Sequence, residues 1–285
     1  MLTRRHLIGS SLSLAAMPLV GKAALAATPP VKAGRLKQSV SRWCYEKIPL
    51  DDLCAFAAKI GLQGIDLLQP ADYDVPRRHG LRCTMGYAAE NMTIANGLNR
   101  VENHAAIEKA FRIGIPQAAR SSVPNVIAFS GNRRGLSDER GAANTIAGLN
   151  RVKKIAEDND VTICVELLNS KVNHPDYMAD HTAWGARVME AVNSPRVKLL
   201  YDIYHMQIME GDLLDTVRRN LKWIGHFHTG GVPGRHELND TQEVNWHGVA
   251  AGIADMGFTG YFAHEFVPTG DPLPALAQAV RICTV

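Results

Sequence analysis

Four side chains able to ligate a metal or move a proton fall at the ends of four successive apolar runs. They are Glu166 in Val165-Glu166-Leu167, Asp202 in Tyr201-Asp202-Ile203, His228 in Phe227-His228-Thr229 and Glu265 in His264-Glu265-Phe266. Successive members lie 36, 26 and 37 residues apart, each about the length of one strand–helix unit. Three carboxylates crowded together repel one another, and a shared cation gives such a cluster its electrostatic sense. Three carboxylates and an imidazole, with room for water, suit one hard to borderline divalent metal, Mn²⁺, Mg²⁺ or Co²⁺. Two glutamates beside such a metal can remove and return a proton at carbons next to a carbonyl, through an enediolate. Taken singly, each residue says little. A strand-end acid is more often a helix cap or ion-pair partner, and a lone histidine more often a hydrogen-bonded core residue. The conjunction carries the reading. His226, two residues before His228, shares its strand face one layer deeper, where a packed and hydrogen-bonded role is expected.

The elements that must position these groups alternate regularly. Apolar strand candidates occupy residues 38–45, 64–69, 81–87, 125–130, 161–168, 197–204, 223–229 and 260–267. Helical periodicity lies between them: Leu53, Phe56, Ala57 and Ile60, stopped by Gly61, and later Ala142, Ile146, Leu149 and Val152. Eight strands alternating with helices in about 250 residues predict an α/β fold, a single closed (β/α)₈ TIM barrel over residues 37–285. An open doubly wound sheet would want a glycine-rich turn after its first strand, and Trp43-Cys44-Tyr45-Glu46-Lys47 is not one. Barrels place their chemistry where strands run into helices. Polar residues collect there: Glu90, Asn91 and Asn96 after the third strand, residues 131–135 after the fourth, and Arg235, His236, Glu237, Asp240 and Glu243 after the seventh. Arg133 and Arg134 could clamp a carboxylate, although neighbouring loop arginines are more often solvated.

Residues 1–26 read as an export signal rather than as part of the fold. Arg4 and Arg5 precede an apolar run from Leu7 to Val20 that is too short to span a bilayer, and Ala24-Leu25-Ala26 offers a cleavage pattern. Thr3-Arg4-Arg5-His6-Leu7 resembles a twin-arginine signal, which predicts a periplasmic destination after folding; residues 27–36 form a spacer. No later segment predicts a membrane anchor. Setting aside Arg4, Arg5 and Lys22 leaves 28 basic against 28 acidic residues. That balance argues against nucleic acid as a partner, which wants a basic surface. Five cysteines, Cys44, Cys54, Cys83, Cys164 and Cys283, show no metal-like spacing and read as buried thiols.

From about residue 37 onward the chain resembles the xylose isomerase-like barrel superfamily, and within it the hydroxypyruvate isomerase family and the related ketose 3-epimerases. The carrying residues are Val165-Glu166-Leu167-Leu168-Asn169, Tyr201-Asp202-Ile203-Tyr204-His205, the stretch His226 to Glu237, and Gly260 to Pro268. The stretch ending Gly230-Gly231-Val232-Pro233-Gly234-Arg235-His236-Glu237, with Asn245 after it, is the most specific. The resemblance implies metal ligation by Glu166, Asp202, His228 and Glu265, with Glu166 and Glu265 as the catalytic acid–base pair. It implies substrate contacts from His205 and Arg235, and from the adjoining His236 and Glu237. The expected substrate is a small sugar or keto acid. The pattern departs from bacterial hydroxypyruvate isomerases at His228, where those carry Gln and ketose epimerases carry His. The expected activity is therefore a hydroxypyruvate isomerase-like aldose–ketose isomerase. Alternatives are a periplasmic keto-sugar epimerase or lyase, and a non-catalytic metal- and sugar-binding barrel. A repair endonuclease of the superfamily fits poorly, since it wants more metal ligands and a basic groove. Assembly as a homo-oligomer is left open.

Overall fold

The computed structural model describes residues 34–89 and 92–285. The proposed export signal, most of the spacer, and Glu90 and Asn91 lie outside the described residues. Eight parallel strands close in sequence order into one barrel, as the alternation predicts. They are β1 (Lys37–Ser41), β2 (Gly64–Leu68), β3 (Arg82–Tyr87), β4 (Asn125–Ala128), β5 (Thr162–Leu167), β6 (Val197–Asp202), β7 (Ile224–Thr229) and β8 (Tyr261–His264). The seam closes where Val40 of β1 pairs with His264 of β8. Around them run α1 (Leu50–Lys59), α2 (His104–Arg120), α3 (Asp138–Asp158), α4 (Thr182–Val192), α5 (Ile203–Met209), α6 (Leu213–Asn220), α7 (Trp246–Asp255) and α8 (Pro272–Ile282).

The helices follow their apolar stripes. Leu53 and Ala57 of α1 are buried, as are Ala142, Leu149 and Val152 of α3, whose start is capped by Ser137 accepting from Arg140 N at 3.2 Å. The connection from β2 to β3 departs from the pattern: it holds only short 3₁₀ turns, Pro70–Asp72 and Val75–His79. Prolines at the start of both turns and Gly80 at φ 73° leave no run long enough for a helix.

Several strands stop earlier than their apolar runs. Residues 42–45 curl into a 3₁₀ turn, with the Arg42 guanidinium donating to the carbonyls of Tyr45 at 2.5 Å and Glu46 at 3.3 Å. β6 ends at Asp202 because its carboxylate accepts from His205 N at 3.2 Å and so opens α5. β2 carries a bulge, with register shifts on both sides of Asp66 and Leu67 held at φ 56°. A bulge re-aims side chains locally, and Leu67 lies at the rim that bears the site.

The barrel interior is not uniformly apolar. Beneath the rim, Ser39, Asp66, Thr84 and His226 form a fully buried polar layer. All five cysteines are free; four are buried and Cys44 is partly exposed. Among the described residues no helix is long and apolar enough to cross a membrane.

Candidate active site and metal centre

The four strand-end groups converge. One donor atom from each of Glu166, Asp202, His228 and Glu265 lies within 4.8 Å of the others, and all four side chains are buried. β5, β6 and β7 each contribute a residue at or next to their final position, and Glu265 follows β8 directly. Its amide donates to Thr229 O at 3.0 Å, which continues the ladder and holds the carboxylate at the rim.

The His228 ring bridges two environments. Its Nδ1 lies 2.6 Å from Glu265 Oε2 and 3.4 Å from Glu166 Oε1, yet the alignment gives it no well-directed hydrogen bond. Its Nε2 faces Asp66 Oδ2 at 3.3 Å, and His226 Nε2 reaches the same oxygen at 2.5 Å. Ser39 donates to the other Asp66 oxygen at 2.8 Å, and Thr84 donates there as well. Burial pushes the Asp66 carboxyl up, but His226 and His228 beside it hold it below the usual carboxylate range. An anionic Asp66 fixes the proton of His228 on Nε2 and leaves Nδ1 facing the carboxylates. This is the orientation in which a histidine serves as a metal ligand.

The donor chemistry fits a divalent cation. Three carboxylates meet an imidazole that burial pushes down but that, in the absence of a cation, the Glu265 charge and the bonds to Asp66 and Glu166 hold well above the usual histidine range. A divalent ion would take the place of that Nδ1 proton and complete the mixed oxygen and nitrogen set such ions take. The second titratable group, Asp66, His226 and His228, is tied together by the bonds of both imidazoles to Asp66, with His226 Nδ1 left unpaired.

The two glutamates differ in environment. Burial raises Glu166 to about 7, repulsion from Glu265 and Asp202 adds to this, and His228 opposes it. Glu265 is also pushed up by burial, but His228 and Arg235 hold it well below the ordinary carboxylate range. Trp43 Nε1 donates to its Oε1, as does Ser41 Oγ at 3.1 Å.

Arg235 reaches into the cluster from the long connection after β7. Its Nη2 donates to Asp202 Oδ2 at 2.6 Å and to Glu265 Oε2. Its guanidinium sits 4.8 Å over the Tyr204 ring. Its Nη1 donates to His205 Nε2 at 2.9 Å, while Asn169 Nδ2 faces His205 Nδ1 at 2.7 Å. Burial and the Arg235 charge keep His205 neutral. A neutral imidazole offers one lone pair, so only one of Arg235 and Asn169 donates to it; the Asn169 amide is also held by Asn173 Oδ1 at 2.8 Å.

A cleft of about 400 Å³ opens over this cluster, lined by Glu166, His205, Arg235 and Glu265 together with Trp43, Tyr87 and Phe129 among others. His236 and Glu237 are not in it. His236 Nδ1 binds Val267 O at 3.0 Å, and Glu237 accepts from Thr269 N at 2.7 Å. Both face outward and pin the loop to the segment after β8, because the turn that sends Arg235 inward sends its successors the other way. Arg133 is engaged in ion pairs with Asp138 and with Asp180, the latter at 3.0 Å, and Arg134 donates to Asn96 Oδ1 at 2.7 Å. Neither lines the cleft. Trp43 and Asp66 escape a reading of motifs, and Asn169, although it closes the motif Val165-Glu166-Leu167-Leu168-Asn169, carries no role in that reading. Asp66 had one signal, an acid within the otherwise apolar run Gly64-Ile65-Asp66-Leu67-Leu68. A separate apolar cavity of about 290 Å³ under α2 has no titratable lining residue.

Comparison with known proteins points the same way. The family model described as xylose isomerase-like TIM barrel matches residues 54–283. Hydroxypyruvate isomerase of Escherichia coli is 26% identical over 227 residues, 74% of this chain and 85% of that one. D-psicose 3-epimerase of Agrobacterium fabrum is 32% identical over 133 residues, 45% of this chain and 43% of the epimerase. Further curated relatives are matched over 38%, 44% and 41% of their own length. A crystal structure named AP endonuclease, family 2, from Brucella melitensis superposes with a TM-score of 0.76 at 23% identity, covering 86% of this chain and 97% of that one.

Proposed function

This chain belongs to the xylose isomerase-like TIM-barrel family, and from that premise we infer that it is an isomerase or epimerase of a small sugar or keto acid, working by metal-assisted proton transfer. The observation that carries the reading is the convergence of Glu166, Asp202, His228 and Glu265, one donor atom from each within 4.8 Å of the others, in one buried cluster that opens on the cleft. Relatives named as hydroxypyruvate isomerase and psicose 3-epimerase support the reaction class.

Glu166, Asp202, His228 and Glu265 would hold one divalent ion, Mn²⁺, Mg²⁺ or Co²⁺. When bound, it supplies Lewis-acid stabilisation of the negative charge that develops on substrate oxygens. Glu265 is the base: ionised, and aimed by its bonds to Trp43, Ser41 and Arg235, it takes the proton from a carbon next to the carbonyl. Glu166, in the same cluster, returns one. Delivery to the neighbouring carbon of the resulting enediolate is isomerisation, and delivery to the opposite face of the same carbon is epimerisation. His205 and Arg235 contact substrate oxygens at the cleft wall. Asp66 positions His228. Export by the twin-arginine route belongs to the same proposal and rests on the first residues of the sequence alone.

The test is solvent deuterium exchange. Protein loaded with Mn²⁺ should place deuterium next to the carbonyl of a ketose or keto acid, as read by NMR. Chelation of the metal or Glu265→Gln should cut the rate by at least about a hundredfold. A loaded wild-type protein that exchanges nothing across ketoses, hydroxypyruvate and 3-keto-sugars would overturn the reading.

A further inference from the structure

We propose that the active-site cleft continues into a second sugar subsite, so that the substrate is a keto-sugar glycoside whose second unit is a neutral polyol ring. This rests on the isomerase–epimerase reading and supplies its substrate class.

The observation is a second compartment of about 420 Å³ adjoining the first. The two share Trp43, Leu67 and Tyr87 as a common wall. Each is by itself the size of a ligand cleft, which runs from about 300 to 1,000 Å³. A three-carbon keto acid would occupy a small part of either. The second compartment owes its existence to local structure already described. The β2–β3 connection lacks a helix, and the bulge at Leu67 re-aims the end of β2.

The lining chemistry is that of a carbohydrate site. Trp43, 40% exposed, presents an aromatic face between the compartments. Its indole N–H is committed to Glu265, which fixes the ring. The C–H face of a sugar ring is apolar and packs on such a surface, while its hydroxyls need polar partners at the edge. Gln69, Asp72 and Glu46 stand there. Gln69 Oε1 is buried with no hydrogen-bond donor. The atom is shielded as it stands, and a turn of the side chain toward the compartment would bring it to a ligand hydroxyl. Arg42 is the compartment's single cation, and its guanidinium already donates to two backbone carbonyls. With two carboxylates against that one occupied cation, a phosphate or uronate would be repelled and a neutral ring accepted. In the first compartment the one arginine is paired with Asp202 and Glu265.

The test measures binding separately from turnover. Calorimetry on the Mn²⁺-loaded full chain would compare D-fructose with isomaltulose and lactulose, and 3-keto-D-glucose with 3-keto-maltose. The two-ring member of at least one pair should bind at least tenfold more tightly, a difference of about 1.4 kcal/mol. In Gln69→Ala and in Asp72→Ala the ratio within that pair should fall toward one. Equal or weaker binding of every two-ring ligand by the wild type, or a ratio that survives both substitutions, overturns the subsite. Deuterium exchange run on the same ligands keeps the two ideas apart. Two-ring preference without any exchange would preserve the subsite and sink the isomerase reading; exchange without preference would do the reverse.

Discussion

The residues of this site divide into groups that meet the reacting carbon and groups that aim them. Asp66 is the clearest of the second kind, because it touches no part of the cleft and acts through His228. It accepts from Ser39, Thr84, His226 and His228 while fully buried. Asp66→Asn preserves the volume but presents amide hydrogens to groups that are themselves donors. The expected result is a fall in Mn²⁺ affinity of roughly 10–100-fold, the usual cost of losing the outer partner of a metal-binding histidine. Titration of a folded Asp66→Asn protein with Mn²⁺ checks this, and unchanged affinity would remove Asp66 from the role. The same variant should slow deuterium exchange most at subsaturating metal. A purely structural Asp66 would instead lower the unfolding midpoint and leave the metal dependence alone.

At the scale of elements, the connection from β7 to α7 does the most for the site. It turns back on itself so that Gly231 N donates to His236 O and Arg235 N donates to Gly231 O, at 2.9 and 2.8 Å. Arg235 sits at φ 61°, in the left-handed region, which costs an ordinary residue roughly 1–2 kcal/mol. Its pairing with Asp202 and Glu265 offsets that. His236 and Glu237 complete the arrangement from outside, by fastening the turn to the segment after β8. Gly231 is required by close approach: a Cβ there would meet Glu237 O at 2.3 Å and His236 O at 2.9 Å. Gly231→Ala should therefore open the turn and displace Arg235. We expect kcat to fall by about tenfold or more, with a stability loss of roughly 1–3 kcal/mol typical of overpacking. Steady-state kinetics beside urea unfolding would check it. An alanine variant with full kcat would mean that the turn does not govern the arginine.

Over the whole molecule, the polar interior of the barrel makes stability depend on pH. His264 is buried, with Nε2 donating to Gln38 Oε1 at 2.8 Å and Nδ1 facing the Thr229 hydroxyl at 3.3 Å. Burial lowers it to about 3, with the Asp66 charge opposing. The unfolded chain takes up a proton near pH 6.5, whereas the folded chain resists until about pH 3. Its contribution is thus complete above pH 6.5 and lost as pH falls through that window, at up to about 1.4 kcal/mol per pH unit. His205, neutral for the same reason, adds in the same direction. Urea midpoints measured from pH 7 down to 4 should fall, and His264→Gln should flatten that slope. An unaltered slope would place the acid sensitivity elsewhere.

The order and kind of the elements were legible in the sequence because eight apolar runs spaced by helical patterns admit few closed arrangements, and strand ends with acids and a histidine one unit apart mark a common rim. The run 197–204 could not reveal that its strand stops at Asp202, since stopping there depends on a carboxylate capping the next helix. Nor could the sequence distinguish the inward turn of Arg235 from the outward one of His236 and Glu237. All three are polar neighbours, and what separates them is the local turn, with Arg235 at φ 61°, and what stands opposite each. Asp66 and Trp43 were invisible as site residues for a related reason. Asp66 acts through β7, 160 residues away in sequence, and Trp43 through Glu265, 222 residues away. Local pattern records which face of an element is buried; which buried groups meet is decided only when the barrel closes and brings β1 and β2 against β7 and β8.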